Sequence, residues 1–574
     1  MSTDEPQDHA RVTRTEDGTT VEYLADGPTT IRQDGQRIPR LNVTQQMLLD
    51  SGENPQSWLM YGGGYHQQRF TTADVITPEN VSNLSLEYTI GVETDVERGK
   101  LEGTPVVVPS DPPIMYQTNG PDVVRAVNAR TGDIIWTYRY APSEQGGERK
   151  PAIYCCGSNN RGVAVLGDTL YMTTLDANVV AINRYTGEQK WLYSSAPTAR
   201  GYSATWAPVV YKGSILNGSA GGEYGVQGFI ESIDAQTGER EWVTSMLPKE
   251  QWVGDSWRNG AATNWMTVTV DPDTDTLYAN VGNPGPDVNG IVRPGLNPYS
   301  DSVVALDTNS GDVRWYFQEV PHDWWDWDAS TPPVLFETEV DGQNRKVVSH
   351  PGKTGWNYLL DAGNGKLYER SQEFCQHLNM WYLPQQTYED SPWVMPSADG
   401  GSEWNPMSYS RVTGNVHIKA MNYPSKFQWD PNPQWEYPST YLGGGFTVYP
   451  EMEDPGPPPE EWDRNRAVFS AVDPVSGEVQ WQKRWRQFSM GGSMSTATGL
   501  TFVGKGNGQF MAFDSENGDR LWNHKFDASV NASPMSWYDP GTQKQYVAVQ
   551  AGGGGLRTYR NGNTIGVFSL QGGN

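Results

Sequence analysis

The stretch Pro321-His322-Asp323-Trp324-Trp325-Asp326-Trp327-Asp328 interleaves carboxylates with tryptophans. Asp326 and Asp328 are two residues apart, so an extended backbone sends both side chains to one side. Two carboxylates on one face repel each other unless a cation lies between them. The three indoles predict a buried setting for the pair rather than a solvated acidic loop. A second chemical feature is the adjacent pair Cys155-Cys156. Neighbouring Cα atoms lie about 3.8 Å apart, whereas ordinary disulfides prefer at least about 4.4 Å. A bond here would close a strained eight-membered ring, and strained disulfides tend to be functional ones. From the pair alone, two free buried thiols are the alternative.

The elements that must carry these residues are short strands. The chain of 574 residues contains 62 Gly, 40 Pro and 23 Trp, and Gly and Pro are the poorest helix formers. A run ending in Trp recurs with a Gly-containing turn inside it: AVNARTGDIIW (to Trp136), AINRYTGEQKW (Trp191), SIDAQTGEREW (Trp242), ALDTNSGDVRW (Trp315), AVDPVSGEVQW (Trp481) and AFDSENGDRLW (Trp522). YLLDAGNGKLY, ending at Tyr368, is a variant. Each reads as a hairpin: an alternating strand such as Val179-Val180-Ala181-Ile182, a turn with Gly at φ > 0, and a returning strand whose Trp packs between sheets. Most end positions are 41 to 73 residues apart, which indicates a propeller or similar array. One gap is 113 residues. It predicts a degenerate eighth blade hidden among residues 370–465. The reading is an all-β, eight-bladed β-propeller over 41–574, preceded by a polar extension over 1–40. Residues 43–50 predict one short helix with Thr44 near its cap.

The formal net charge is −26, with 68 acidic residues against 28 Arg and 14 Lys. That excludes a nucleic-acid partner, which needs a basic surface. It fits a solvated acidic shell, in keeping with a halophilic origin, or attraction of a basic partner. No apolar stretch reaches the length of a membrane span. The N-terminal residues lack the basic start and apolar core of a signal peptide. No CxxCH occurs, so no covalent haem is expected, and no CxxC pair suggests zinc.

Cys155-Cys156 followed by Asn160-Arg161-Gly162, inside a Trp-repeat array, resembles the quinoprotein methanol and ethanol dehydrogenases. The resemblance runs from Trp58 to about Trp522. It implies oxidation of a primary alcohol to an aldehyde with pyrroloquinoline quinone (PQQ) and a bound metal ion. By that resemblance a Cys155–Cys156 disulfide lies flat on one face of PQQ, and Trp265, in TNW, stacks on the other. Glu102, in EGTP, hydrogen-bonds the quinone. Arg161 and Thr205 (in TWAP) contact its carboxylates, a natural role for a planar guanidinium. Ala220, Gly221, Gly222, Glu403 and Trp404 fall at further cofactor-contact positions. The metal ligands are Glu223 (in SAGGEYG), Asn283 (in VGNPGP), Asp326 and Asp328. Asp326 is also the general base, and Lys353, in HPGKTG, stabilises charge at the quinone oxygens.

The second acid, Asp328, marks the family members that use lanthanides; calcium-using members carry a small residue there. A trivalent hard cation wants more anionic oxygens, so a lanthanide(III) ion is expected, with Ca²⁺ as the alternative. The resemblance further implies an extracytoplasmic, periplasmic setting and a separate one-electron acceptor of cytochrome c or blue-copper type. Three positions depart from the family pattern. Glu403 stands where Asn is usual, Met490 where methanol dehydrogenases carry Trp, and Ala220 where Ser is usual. Two other readings are a PQQ-dependent sugar or polyol dehydrogenase and a non-catalytic propeller scaffold. Trp381, Trp393, Trp429 and Trp435 would either shape an apolar substrate pocket or pack the 370–465 loops, and Cys375 is expected to be a buried free thiol.

Overall fold

A computed structural model of the chain describes residues 11–571 except 17–18, 25–28, 34, 36, 93–99, 142–143, 146–147, 150–153, 450–455 and 555–557. Eight antiparallel sheets form the blades of a propeller. The first seven have their third strands at Val123–Asn128, Asn178–Asn183, Phe229–Asp234, Ser302–Asp307, Asn357–Asp361, Ala467–Val472 and Gln509–Asp514. Thr29–Arg32 adds a fifth strand at the outer edge of the first blade, against Ile134–Arg139. No helix of the described residues is long and apolar enough to cross a membrane. The short helix is Gln45–Leu49, with the Thr44 hydroxyl accepting from the Met47 amide.

The third strands carry continuous apolar runs because a neighbouring blade covers each face. Val179, Val180, Ala181 and Ile182 are all buried, so the expected in–out alternation is absent there. The alternation appears instead in the outer strand Gln189–Ser194. The repeat also explains its own small residue. Ala126, Ala181, Ser232, Ala305, Ala471 and Ala512 each lie directly opposite the Trp of their hairpin, and the register slips by one residue immediately afterwards. Such a bulge re-aims a side chain. Here the indole reaches the next blade: the Nε1 atoms of Trp242, Trp315 and Trp481 donate to the carbonyls of Thr308, Ala362 and Ser515 at 3.0, 3.1 and 3.1 Å.

The eighth blade is not hidden in the long gap. It consists of Met535–Asp539, Lys544–Ala551 and Thr564–Leu570, closed by the N-terminal strand Leu84–Gly91. Its outer strand comes from the other end of the chain, so no continuous repeat could mark it. Tyr88 takes the Trp position and its hydroxyl donates to the Ala129 carbonyl of the first blade, completing the ring. The 113-residue gap instead holds the first two strands of the sixth blade, Ser408–Tyr409 and Val416–Met421, and an inserted hairpin, Ser425–Trp429 with Gly444–Val448.

Blade docking can be tested at Gly365, which has φ +71° and would place a Cβ 2.4 Å from Trp315 Cε3. Gly414, at φ +75°, has nothing within 4 Å of its Cβ position. Gly414→Ala is expected to cost about 1 kcal/mol for the left-handed backbone alone. Gly365→Ala is expected to cost roughly 2–4 kcal/mol, because the Trp315 ring must also move. Denaturant melts of the two variants decide it; equal losses would show that the Trp–Gly contact contributes nothing.

Candidate active site

In an up-and-down blade, the loop entering the first strand and the loop joining the second and third strands emerge at the same end of the propeller. Glu102, Cys155 to Arg161, Thr205, Trp265, Asp326 to Asp328, Glu403, Trp404 and Met490 all precede first strands. Ala220 to Glu223, Asn283 and Lys353 all lie between second and third strands. Topology therefore gathers residues from seven blades at one end, opposite the Gly turns of the Trp hairpins. All seventeen of these predicted positions, the three departures among them, line one cavity.

Trp265 and Asn283 flank the first two strands of the fourth blade, Thr269–Asp271 and Thr276–Val281, which accounts for their spacing. Cys155 and Cys156 are joined by a disulfide, and Cys375 is a buried free thiol. The disulfide sulfurs lie within 4.8 Å of a Glu223 carboxylate oxygen. Oxidised sulfurs are poor metal ligands, so this proximity joins the disulfide to the rim of an oxygen-ligand site.

One half of the cavity handles anions. Arg161 bonds Glu102 Oε2 at 2.7 Å and Thr205 Oγ1 at 2.9 Å, and its guanidinium lies 4.8 Å from the Trp404 ring centroid and 5.8 Å from that of Trp265. Glu403 lines the same cavity, with Lys353 its strongest charged neighbour and Arg161 a weaker one. Burial pushes its carboxyl up to about 8, against the opposing pull of Lys353. It is therefore largely protonated at neutral pH and adds little negative charge to the wall.

The other half concentrates carboxylates. Asp326 and Asp328 do reach one cation, as Lys353 Nζ lies 3.3 Å from Asp326 Oδ1 and 2.8 Å from Asp328 Oδ2. The route differs from the extended alternation expected. Asp326 has φ +60°, a left-handed kink in an irregular segment. Asp328 neither faces solvent nor meets an arginine. Its Oδ1 accepts from the Asn283 amide at 2.8 Å and from Trp265 Nε1 at 3.4 Å. Gly282 makes room for it: a Cβ there would fall 2.1 Å from Asp328 Oδ1. Trp324, Trp325 and Trp327 are buried, and Trp325 stacks on Trp327 at 4.7 Å. This dry setting raises the Asp326 and Glu223 carboxyls above their ordinary range, desolvation acting first. Burial pulls the Lys353 ammonium down, but Asp326, then Asp328 and Glu403, outweigh it and hold it above the usual lysine range.

Five polar atoms on the cavity wall are buried without a hydrogen-bond partner: Glu102 Oε1, Asn159 Oδ1, Arg161 Nε, Asp287 Oδ1 and Glu403 Oε2. Buried polar atoms are normally paired, so the wall fits a polar, anionic guest on one side and a hard cation on the other. Sequence reasoning missed Asp287, which lies four residues beyond Asn283 in NPGPD, and also Asn159, Ser203, Thr263 and Asp399. The inserted loop contributes Thr440, Leu442 and Phe446. Its four tryptophans do not line the cavity. Trp381 packs edge-on against Trp325 and Trp327, Trp393 bonds the Pro457 carbonyl, Trp429 belongs to the inserted hairpin, and Trp435 bonds the Tyr224 carbonyl.

Comparison with known proteins agrees with this arrangement. The profile of the family described as PQQ glucose/ethanol/alcohol dehydrogenase, beta-propeller domain, matches residues 58–166, 194–373 and 459–547. The quinoprotein alcohol dehydrogenase PedH of Pseudomonas putida is 30% identical over 554 residues, 89% of each chain. The quinohemoprotein alcohol dehydrogenase ADH IIB of Pseudomonas putida is 32% identical over 90% of this chain and 76% of its own. Among solved structures, a europium-containing methanol dehydrogenase superposes with a TM-score of 0.82 at 25% identity, covering 92% of this chain and all of that one (100%). The quinohemoprotein alcohol dehydrogenase of Comamonas testosteroni gives 0.81 at 28%, covering 93% of this chain and 83% of that one. With its eight blades and its cavity of disulfide, arginine and carboxylates, the chain belongs to the PQQ-dependent quinoprotein alcohol dehydrogenase family.

Proposed function

We propose that the protein oxidises a primary alcohol to an aldehyde, with PQQ held between Cys155–Cys156 and Trp265 and a lanthanide(III) ion among Glu223, Asn283, Asp326 and Asp328. The observation that carries this reading is that Asp326, Asp328 and Glu223 line one buried cavity beside the Arg161–Glu102 pair. When bound, PQQ supplies the two-electron acceptor and the ion a Lewis acid.

The chain's own residues do the rest. Arg161, with Thr205, orients a carboxylate of the guest, while Glu102 and neutral Glu403 present hydrogen-bonding groups to its polar edge. Asp326 takes the alcohol hydroxyl proton on a carboxylate oxygen. Lys353 favours the ionised form of Asp326 and places positive charge where negative charge develops. Trp265, Trp327 and Phe446 exclude water. Electrons pass to a one-electron carrier of cytochrome c or blue-copper type, and the acidic shell suits a basic one. A persistent disulfide suits an oxidising, extracytoplasmic compartment. A second reading, a sugar or polyol substrate, draws on the polar lining of Asp399 and Thr440.

Dye-coupled turnover with PQQ and either La³⁺ or Ca²⁺ tests the reading. Alcohol-dependent activity with La³⁺, little activity with Ca²⁺, and a loss of about 10²–10⁴-fold in kcat for Asp326→Asn are expected. Activity with Ca²⁺ alone would keep the enzyme and reject the lanthanide. No activity and no PQQ binding with either ion would favour a scaffold.

Glu403 generates a pH prediction. Its raised carboxyl is neutral below about 8 and ionises above it. The carboxylate form repels the PQQ carboxylates, so PQQ affinity is expected to fall as pH rises through that value. Glu403→Gln, neutral throughout, is expected to lose this alkaline limb. Titration of PQQ binding between pH 6 and about 10 reads it, and an unchanged limb in the variant would assign it to another group.

A further inference from the structure

Asp287 is an acidic residue of the cavity that makes no ion pair among the described residues. It is 2% exposed and lines the cavity together with Glu223, Asn283, Asp326 and Asp328. Its Oδ1 is buried with no hydrogen-bond partner. A structural ion pair with Arg293 is the obvious alternative, and the geometry excludes it. Arg293 spends its donors on the main-chain carbonyls of Pro286, Asp287 and Asp323 and on Asn297 Oδ1. Arg293 thus fixes the backbone that presents Asp287 and acts on its carboxylate only through space, as a weaker influence than the neighbouring acids. The strongest charged influences on Asp287 are Glu223 and Asp328, both acidic, and the Asn283 side chain is within hydrogen-bonding reach.

A carboxylate buried among carboxylates is costly unless it takes up a proton or a cation compensates it. Glu223, Asp287, Asp326 and Asp328 all line this cavity, and among the described residues Lys353 is the cation that pairs with any of them. The nearby Arg161–Glu102 pair is balanced in itself.

We infer that Asp287 is a further donor to the bound cation, acting from the same cavity wall as the Glu223 and Asp328 carboxylates and tuning the site for trivalent over divalent ions. This inference rests on the metal-dependent reading above and extends it to a residue outside the expected ligand set. It predicts a site that discriminates by charge count, since hard trivalent ions gain more from each added anionic oxygen than Ca²⁺ does.

Terbium luminescence, sensitised by the nearby Trp265 and Trp327, tests it on the full chain with and without PQQ. Lifetimes in H₂O and D₂O count the waters on the ion, and competition with La³⁺ and Ca²⁺ gives relative affinities. Asp287→Ala is expected to admit about one more water and to weaken Tb³⁺ binding about 10–100-fold, with a smaller loss for Ca²⁺. Asp287→Asn, nearly isosteric, is expected to keep the wild-type fold and lose much of the trivalent preference. Wild-type Tb³⁺ binding with unchanged hydration and selectivity in both variants would overturn the role of Asp287 alone. A wild-type chain that takes up Ca²⁺ but no Tb³⁺ would overturn the trivalent reading and this inference with it.

Discussion

Uncompensated negative charge in a dry cavity is the constraint on which the site depends. Asp326 and Asp328 meet at one ammonium group, Lys353, with Glu223 and Asp287 facing the same space. Carboxylates held this way are expensive in water-poor surroundings, and the cost is met by a cation joining them or by uptake of a proton. The three tryptophans of the 321–328 segment create those surroundings, so the same eight residues supply both the charge and the low dielectric that gives the charge its force.

A propeller meets this demand because it is rigid and closes on itself. Each indole that bonds the neighbouring blade fixes the angle between two sheets, and Tyr88 does the same where the two chain ends meet. The loops that emerge at one end are thus held by seven separate blades, and no single loop positions the whole site. Arg161 shows the consequence. It is anchored by Glu102 from the loop before the first blade and by Thr205 from the loop before the third, and is covered by Trp404 from the loop before the sixth.

Much of this was legible in the sequence, because repeats and loop positions are local properties. The Gly-turn-Trp runs mark seven hairpins, and the ordered series from Glu102 to Trp404 falls in loops on one side of those hairpins. What was not legible is non-local. The eighth blade takes its outer strand from Leu84–Gly91, far from its other strands in the chain, so no contiguous pattern announces it. The left-handed kink at Asp326 overrides the simple alternation that would have aimed it, although the two carboxylates still converge. Asp287 could have been suspected from its place four residues beyond Asn283, but only the cavity shows that its Oδ1 is buried with no hydrogen-bond partner.

The most direct test of the central claim is an anomalous-scattering map from crystals of the chain grown with PQQ and La³⁺. The account predicts one strong peak bounded by Glu223, Asn283, Asp326 and Asp328, with planar cofactor density between the Cys155–Cys156 disulfide and Trp265. Lanthanum bound only on the acidic outer surface, with the carboxylate pocket empty, would contradict it.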